Sequence, residues 1–311
     1  MDQRLGKKSR SRAEILVPDA VCIYCGGPAN RVEHMPPRSM FKGKDRLSAM
    51  EYPSCEACNN GTSGADSVAA FIARIEPDGA GGSWKAVENF SQVIALNEFA
   101  PGVLDELLDD RKAFDADLPT SGGILTKRRV THASGPLVRG YLNAFAAKFA
   151  MALYFEHTGQ VLPADGAFLT TWYTNAGITQ QMVHETLRIM PGRGTLTQGR
   201  NNSGNQFAYR YNTDLKTIVA ALASFHTGLY ISVIATSEPD AFCLATQKGE
   251  TVNYGRLGEL LSIMPRSARS RLVTLPNLAG RRRHQAPRGC QAAGLINPSR
   301  SRRIREIYDG E

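Results

Sequence analysis

The chain has 311 residues, 42% hydrophobic and 21% charged, an ordinary balance for a soluble globular protein able to bury a sizeable core in one large or two modest domains. Its formal net charge of +8 is concentrated at the ends: residues 1–12 carry a net +4 and residues 276–311 a net +5, so the rest sums to −1 and a uniformly basic surface is excluded. Basic tails suit a polyanionic partner such as DNA, because each Lys or Arg near a phosphate releases a counterion; they equally suit a solubilising role.

Residues 1–20 read as a basic flexible arm. No apolar core follows the basic start, so no signal peptide is read and a cytoplasmic protein is expected. Residues 21–78 form a cysteine-bearing module. Its last segment, 63–75, places Val68, Phe71, Ile72 and Ile75 at helical spacing, with Ser63 and Asp66 as a capping-box-like start and Pro77 with Gly79 as the stop. Residues 78–83 (DGAGGS) read as a linker.

Residues 84–275 read as a mixed α+β domain. The pattern predicts a short helix over 101–114 and a loop-rich stretch over 115–131. A long helix then opens at Ser134-Gly135-Pro136, carries Leu137, Tyr141, Phe145, Phe149 and Leu153 down one face, and stops at Gly159. A strand over 168–174, a helix over 179–190 and a Gly/Asn loop over 192–205 follow. Strands over 207–211, 217–226 and 229–236 and a last helix over 254–264 complete the domain, and 276–311 read as a basic, unstructured tail. The apolar stretch 217–236 has the length of a membrane span, but His226-Thr227-Gly228 interrupts it and β-branched residues fill it, so two buried antiparallel strands are expected and no membrane partner.

Six cysteines are present, and four fall into two C-x-x-C pairs, Cys22-Ile-Tyr-Cys25 and Cys55-Glu-Ala-Cys58. Each pair is a tight turn whose two thiolates can point at one ion, and four thiolates match the closed tetrahedral shell of a structural Zn²⁺. Cys243 and Cys290 stand alone and read as free thiols.

Near the two turns lie Glu33-His34 and Asn59. An ion that clamps both turns lets these three converge although they are distant in sequence. A Glu carboxylate and an Asn carbonyl are the oxygen ligands that a hard cation such as Mg²⁺ takes, and imidazole titrates near neutrality, which suits a general base.

The pattern C-x-x-C, Glu-His-x-x-Pro, C-x-x-C-Asn with a Ser shortly after resembles the HNH endonuclease family over about a fifth of the chain. The resemblance implies a ββα-metal module, with His34 as the general base that activates water against a phosphodiester. It also implies Glu33 and Asn59 as holders of a catalytic Mg²⁺ or Mn²⁺, Cys22, Cys25, Cys55 and Cys58 as structural zinc ligands, and DNA, with RNA as the alternative, as substrate. Two departures stand out. The family commonly has Asp before the His, where this chain has the longer Glu33, and the family's middle Asn would fall near Met50, where no Asn stands. Asp66 is a further candidate for the site, with helix capping as its expected role.

The competing reading is a non-catalytic zinc module that binds nucleic acid or protein. Residues 21–76 favour it by carrying six basic and six acidic side chains, hence no net charge for DNA. A third reading is that residues 84–275 sense a ligand or protein partner and gate the nuclease. His132, His157, His184, His226 and His284 lack comparable company and read as structural or exposed, and Tyr209-Arg210-Tyr211 reads as an ordinary strand.

Overall fold

The computed structural model describes residues 10–41, 50–75, 87–119, 124–130, 133, 135–174, 197–199, 202–204, 206–238 and 253–254. The expected helices over 179–190 and 254–264 lie almost wholly outside these residues, as do the linker, the C-terminal tail, Cys243, Cys290, His132, His184 and His284.

The N-terminal part is a hairpin followed by two helices. Strands β1 (Arg31–His34) and β2 (Glu51–Ser54) pair antiparallel, with Glu33 opposite Tyr52 and His34 opposite Glu51. Helix α1 (Arg12–Ile15) precedes them, inside the segment expected to be a flexible arm. Ser11 and Glu14 close a capping box on it, Ile15 is buried, and the Arg10 backbone N–H donates to Glu51 Oε2 at 3.2 Å. Arg10 is thus tied to β2, and Arg12 donates to the Asn30 carbonyl just ahead of β1 at 3.2 Å.

Helix α2 (Glu56–Gly61) starts at Cys55, and α3 (Ser63–Ala73) follows after a single residue. That residue, Thr62, joins the two by donating from Oγ1 to the Cys58 carbonyl at 2.9 Å. The helix expected over 63–75 is therefore present, but Thr62 is its N-cap and Asp66 does not cap it.

The remainder is one long helix laid on an antiparallel sheet. Helices α4 (Val87–Phe99) and α5 (Val103–Leu107) lead to strands β3 (Phe114–Pro119) and β4 (Leu125–Val130), which form their own hairpin. Helix α6 (Pro136–Thr158) has Pro136 in its first turn, where the missing N–H costs nothing, and ends at Gly159 with φ 71°. Its free N-terminal amides are satisfied from a distance: Glu106 accepts from the N–H groups of Leu137 and Val138 at 3.0 and 2.9 Å. The sheet comprises β5 (Ala167–Thr174), β6 (Thr197–Gln198), β7 (Phe207–Thr213), β8 (Ile218–Phe225), β9 (Leu229–Thr236) and β10 (Asn253–Tyr254), in the order β10-β5-β9-β8-β7-β6.

Stretch 217–236 is accordingly a β8–β9 hairpin turning at His226, and among the described residues no helix is long and apolar enough to cross a membrane. Two expectations differ from the structure. Helix α4 is not among the expected elements, and the short helix expected over 101–114 is present as α5 but spans only Val103–Leu107, with β3 starting at Phe114. The stretch 115–131, expected to be loop-rich, contains the β3–β4 hairpin, whose register sets Asp117 opposite Lys127. Strand β3 (FDADLP) does alternate apolar and acidic residues, but Asp and Pro are poor strand formers and its partner β4 (LTKRRV) shows no alternation, so the hairpin carries a weak signal.

One hydrophobic core runs from Cys22 through α3 and α6 to Ala235 in β9. Phe145 and Phe149 of α6 meet Phe225 of β8 edge-on, with ring centroids 5.5 and 5.2 Å apart. Tyr52 of β2 meets Phe155 at 6.0 Å, and its hydroxyl donates to Glu156 at 3.2 Å. The cysteine module therefore packs its inner face on α6.

The β8–β9 turn also touches α3. The Gly228 N–H donates to the Ala73 carbonyl at 3.1 Å, and a Cβ at Gly228 would lie 2.2 Å from the Ile72 carbonyl oxygen. Gly228→Ala is expected to push this turn off the end of α3 and to lower stability by about 1–3 kcal/mol, the usual cost of overpacking. Urea unfolding of the two proteins checks it; an unchanged midpoint would show that the contact is dispensable.

Candidate metal centre and the polar cluster beside it

The first C-x-x-C turn is shaped by backbone hydrogen bonds. Cys22 N–H donates to the Gly27 carbonyl at 2.7 Å, Gly26 N–H donates to the Cys22 carbonyl at 2.8 Å, and Gly26 takes φ 70°, which glycine adopts at no steric cost. Gly27 N–H then points at Cys25 Sγ, 3.4 Å away. The second turn repeats the device, with Cys58 N–H 3.4 Å from Cys55 Sγ at the start of α2. The hairpin brings the turns together through Ile23 N–H on the Pro53 carbonyl at 3.1 Å.

As a result, the four sulfurs of Cys22, Cys25, Cys55 and Cys58 lie within 4.8 Å of one another, and those of Cys25 and Cys55 are 3.7 Å apart. Zn–S bonds of about 2.3 Å in a tetrahedron put sulfurs roughly 3.8 Å apart, so the cluster has the dimensions and donor set of a structural zinc site. Cys22 and Cys58 are buried and the other two half-buried. Hydrogen bonding, from Cys22 first and then Cys58, pushes the Cys25 thiol down to about 2, while its bond to Cys25 pushes Cys22 up to about 12 and Cys58 is raised as well. Crowded sulfurs share protons in this way, and a bound cation replaces those protons.

The three polar residues singled out from the sequence divide into two groups. Glu33 turns inward and is buried, with Asn59 Nδ2 donating to its Oε2 at 3.1 Å. The two C-x-x-C turns do bring these two together. His34 is the next residue along the strand, and consecutive strand residues leave on opposite faces. Its Nδ1 lies 3.8 Å from Glu51 Oε1, on the cross-strand partner, and its side chain keeps 23% of its exposure. Glu51 is itself buried and held by the Arg10 backbone N–H on its carboxylate and the Arg10 guanidinium on its carbonyl.

Two residues of the cluster were not reached by sequence reasoning. Glu51 sits beside the Met50 position where the resemblance would have an Asn, and only the hairpin register shows it facing His34. Lys148 lies in the middle of α6, wholly buried, and donates from Nζ to Glu33 Oε1 at 3.3 Å and to Asp66 Oδ1 and Oδ2 at 2.9 and 2.8 Å. Its charge also stands 5.7 Å from the centre of the Tyr24 ring. In a helix of apolar neighbours a lone Lys gives no sequence signal of its partners.

The electrostatics follow from burial. Removal from water, with the Asp66 charge adding to it, raises Glu33 to about 7 against the pull of Lys148. Asp66 is raised by burial too. Burial works to lower the Lys148 ammonium, but the charges and hydrogen bonds of Asp66 and Glu33 outweigh it, and the net shift is upward.

A divalent ion held by Glu33 and Asn59 does not fit this arrangement. Both Glu33 oxygens already accept hydrogen bonds, and an ammonium stands against Glu33 Oε1. Of the remaining histidines within the described residues, His157 stacks on Tyr211 at 3.8 Å and His226 Nε2 hydrogen-bonds with the Met40 carbonyl at 2.6 Å, consistent with structural roles.

No family model, curated protein or solved structure matches this chain. Its function is to be read from its own residues.

Freshly prepared protein is expected to carry about one zinc per chain, measurable by elemental analysis, since four thiolates close one shell. Because metal binding is coupled to folding in such sites, Cys55→Ser or a strong chelator should release the zinc and lower the melting temperature of the whole chain, whose core is continuous with the module. Folded protein without zinc would refute the assignment.

Proposed function

We propose that this chain is an HNH-type endonuclease that hydrolyses phosphodiester bonds in DNA, with His34 as the general base. The observation that carries the reading is the His34–Glu51 pair. A half-buried imidazole stands on the hairpin with its Nδ1 facing a buried carboxylate at 3.8 Å. That partner favours a proton on Nδ1 and leaves Nε2 as the lone-pair nitrogen that can take a proton from water. Glu51 would then do for His34 what the family's middle Asn was expected to do, holding the ring in one orientation. The zinc of the four cysteines would be structural, fixing the hairpin that carries both residues. Basic residues of the chain termini would supply phosphate contacts, because the module itself has no net charge.

A Mg²⁺ or Mn²⁺ ion, where such enzymes use one, stabilises charge on the phosphate and the leaving oxygen. Glu33 and Asn59 do not offer it a place, because Asn59 and Lys148 already engage both Glu33 oxygens. The same observation favours a second reading, in which the module is a non-catalytic zinc element that binds nucleic acid or protein. An ion pair sealing Glu33 against α6 suits a scaffold as well as it suits an enzyme. Helix α6 and strands β7 to β9 share the module's core, so a partner or ligand acting on α6 would act on the module directly.

A plasmid-nicking assay on zinc-loaded full-length protein, with Mg²⁺, Mn²⁺ or EDTA, separates the two. The nuclease reading expects His34→Ala to lower the nicking rate about 10²–10⁴-fold, the usual worth of a general base, without loss of zinc. Glu51→Gln should cost less, about 10–100-fold, as is typical of a residue that orients another. Wild-type protein that binds DNA, keeps its zinc and cuts neither DNA nor RNA would establish the non-catalytic reading.

A further inference from the structure

We propose that Lys148 is the resident cation of the Glu33–Asn59–Asp66 cluster, so that these residues form an ionic lock between hairpin, α3 and α6 that is closed to magnesium and manganese. The hydrogen-bond inventory supports it. An ammonium has three N–H donors, and three carboxylate oxygens receive them: Glu33 Oε1, Asp66 Oδ1 and Asp66 Oδ2. The fourth carboxylate oxygen, Glu33 Oε2, accepts from Asn59. Every carboxylate oxygen of the cluster is therefore engaged by a donor of this chain.

Charge leads to the same result. Two carboxylates and one ammonium sum to −1 at most. A divalent ion added beside Lys148 would leave an excess of positive charge in a space that excludes water, with an ammonium as its immediate neighbour. Mg²⁺ in particular gives up its water reluctantly and demands near-octahedral oxygen ligands. The buried pocket, whose Lys148 is wholly covered and whose Glu33 is 3% exposed, gives it neither.

Geometry explains why the lock sits here. Glu33 comes from β1, Asn59 from α2, Asp66 from the first turn of α3, and Lys148 from α6. One ammonium thus joins the two halves of the sequence at the point where the zinc turns have already fixed Glu33 and Asn59.

The test uses manganese as the probe on zinc-loaded full-length protein, followed by the electron paramagnetic resonance of free Mn²⁺, with no nuclease assay involved. This separates it from the His34 reading: DNA cleavage can fail while the lock holds, and the reverse. Wild type and Glu33→Gln are expected to leave the same Mn²⁺ signal. Stoichiometric Mn²⁺ uptake by wild type that Glu33→Gln abolishes would overturn the proposal. Lys148→Met, a neutral side chain one atom shorter, removes the charge and should melt at a lower temperature. A Lys148→Met protein that melts like wild type would overturn it as well. Should Lys148→Met fail to fold, the comparison of wild type with Glu33→Gln decides alone.

Discussion

An ammonium with no exposure to water has to be neutralised where it lies, and Lys148 meets this constraint by drawing carboxylates from two other elements. An unpaired charge at such depth is costly enough that breaking a buried pair by removing one partner typically destabilises a protein by about 3–5 kcal/mol. The position of α6 relative to β1 and α3 is therefore fixed by electrostatics as well as by apolar packing. Non-polar contact alone tolerates sliding; a three-donor ammonium held by three defined oxygens does not. The same pairing accounts for Asp66, whose carboxylate is turned from its own helix end towards Lys148.

The four-cysteine cluster sets the other end of this arrangement. The hairpin β1–β2 has only four residues per strand, too short to be stable alone. Two sulfur-bearing turns at its base hold it, and α2 starts from one of them. The module nevertheless is not self-contained, because Tyr24, Tyr52 and Val68 are buried in the core that α6 completes. An isolated N-terminal fragment would expose them, so the activity or silence of such a fragment reports on folding before it reports on gating.

Much of this was legible in the sequence. The C-x-x-C pairs, the helix over 63–75, the long helix closed by Gly159 and the strands of the 217–236 stretch all carry local signals: spacing, periodicity, or a turn residue. What was not legible depends on pairing across distance. Strand β3 alternates but is built on Asp and closed by Pro, and β4 does not alternate, so their pairing shows only in space. Arg10 belongs to a basic run in sequence, yet grips Glu51 in space. Lys148 is one charge in an apolar helix, and its partners lie 115 and 82 positions away. Glu51 could be found opposite His34 only once the hairpin register was known, because a shift of one residue would have put Tyr52 or Met50 there instead.

The strand that carries Glu33 and His34 explains how one dipeptide can serve two ends. Side chains of consecutive strand residues alternate between faces, so a pair read from sequence as one constellation is divided by the backbone. Glu33 goes to the core side, where burial and Lys148 commit it to holding the fold together. His34 goes to the other side, where it keeps partial exposure and a carboxylate neighbour of its own. On the proposed reading, the division separates a rigid support from a reactive group mounted one residue away. The exposed face then has to supply whatever else hydrolysis needs, and Glu51 and Arg10 are the residues this structure ties to it. On the alternative reading the same rigidity serves a binding surface, with His34 as one of its contacts. In both, the demand on Glu33 is identical, since its role is set by where the strand points it.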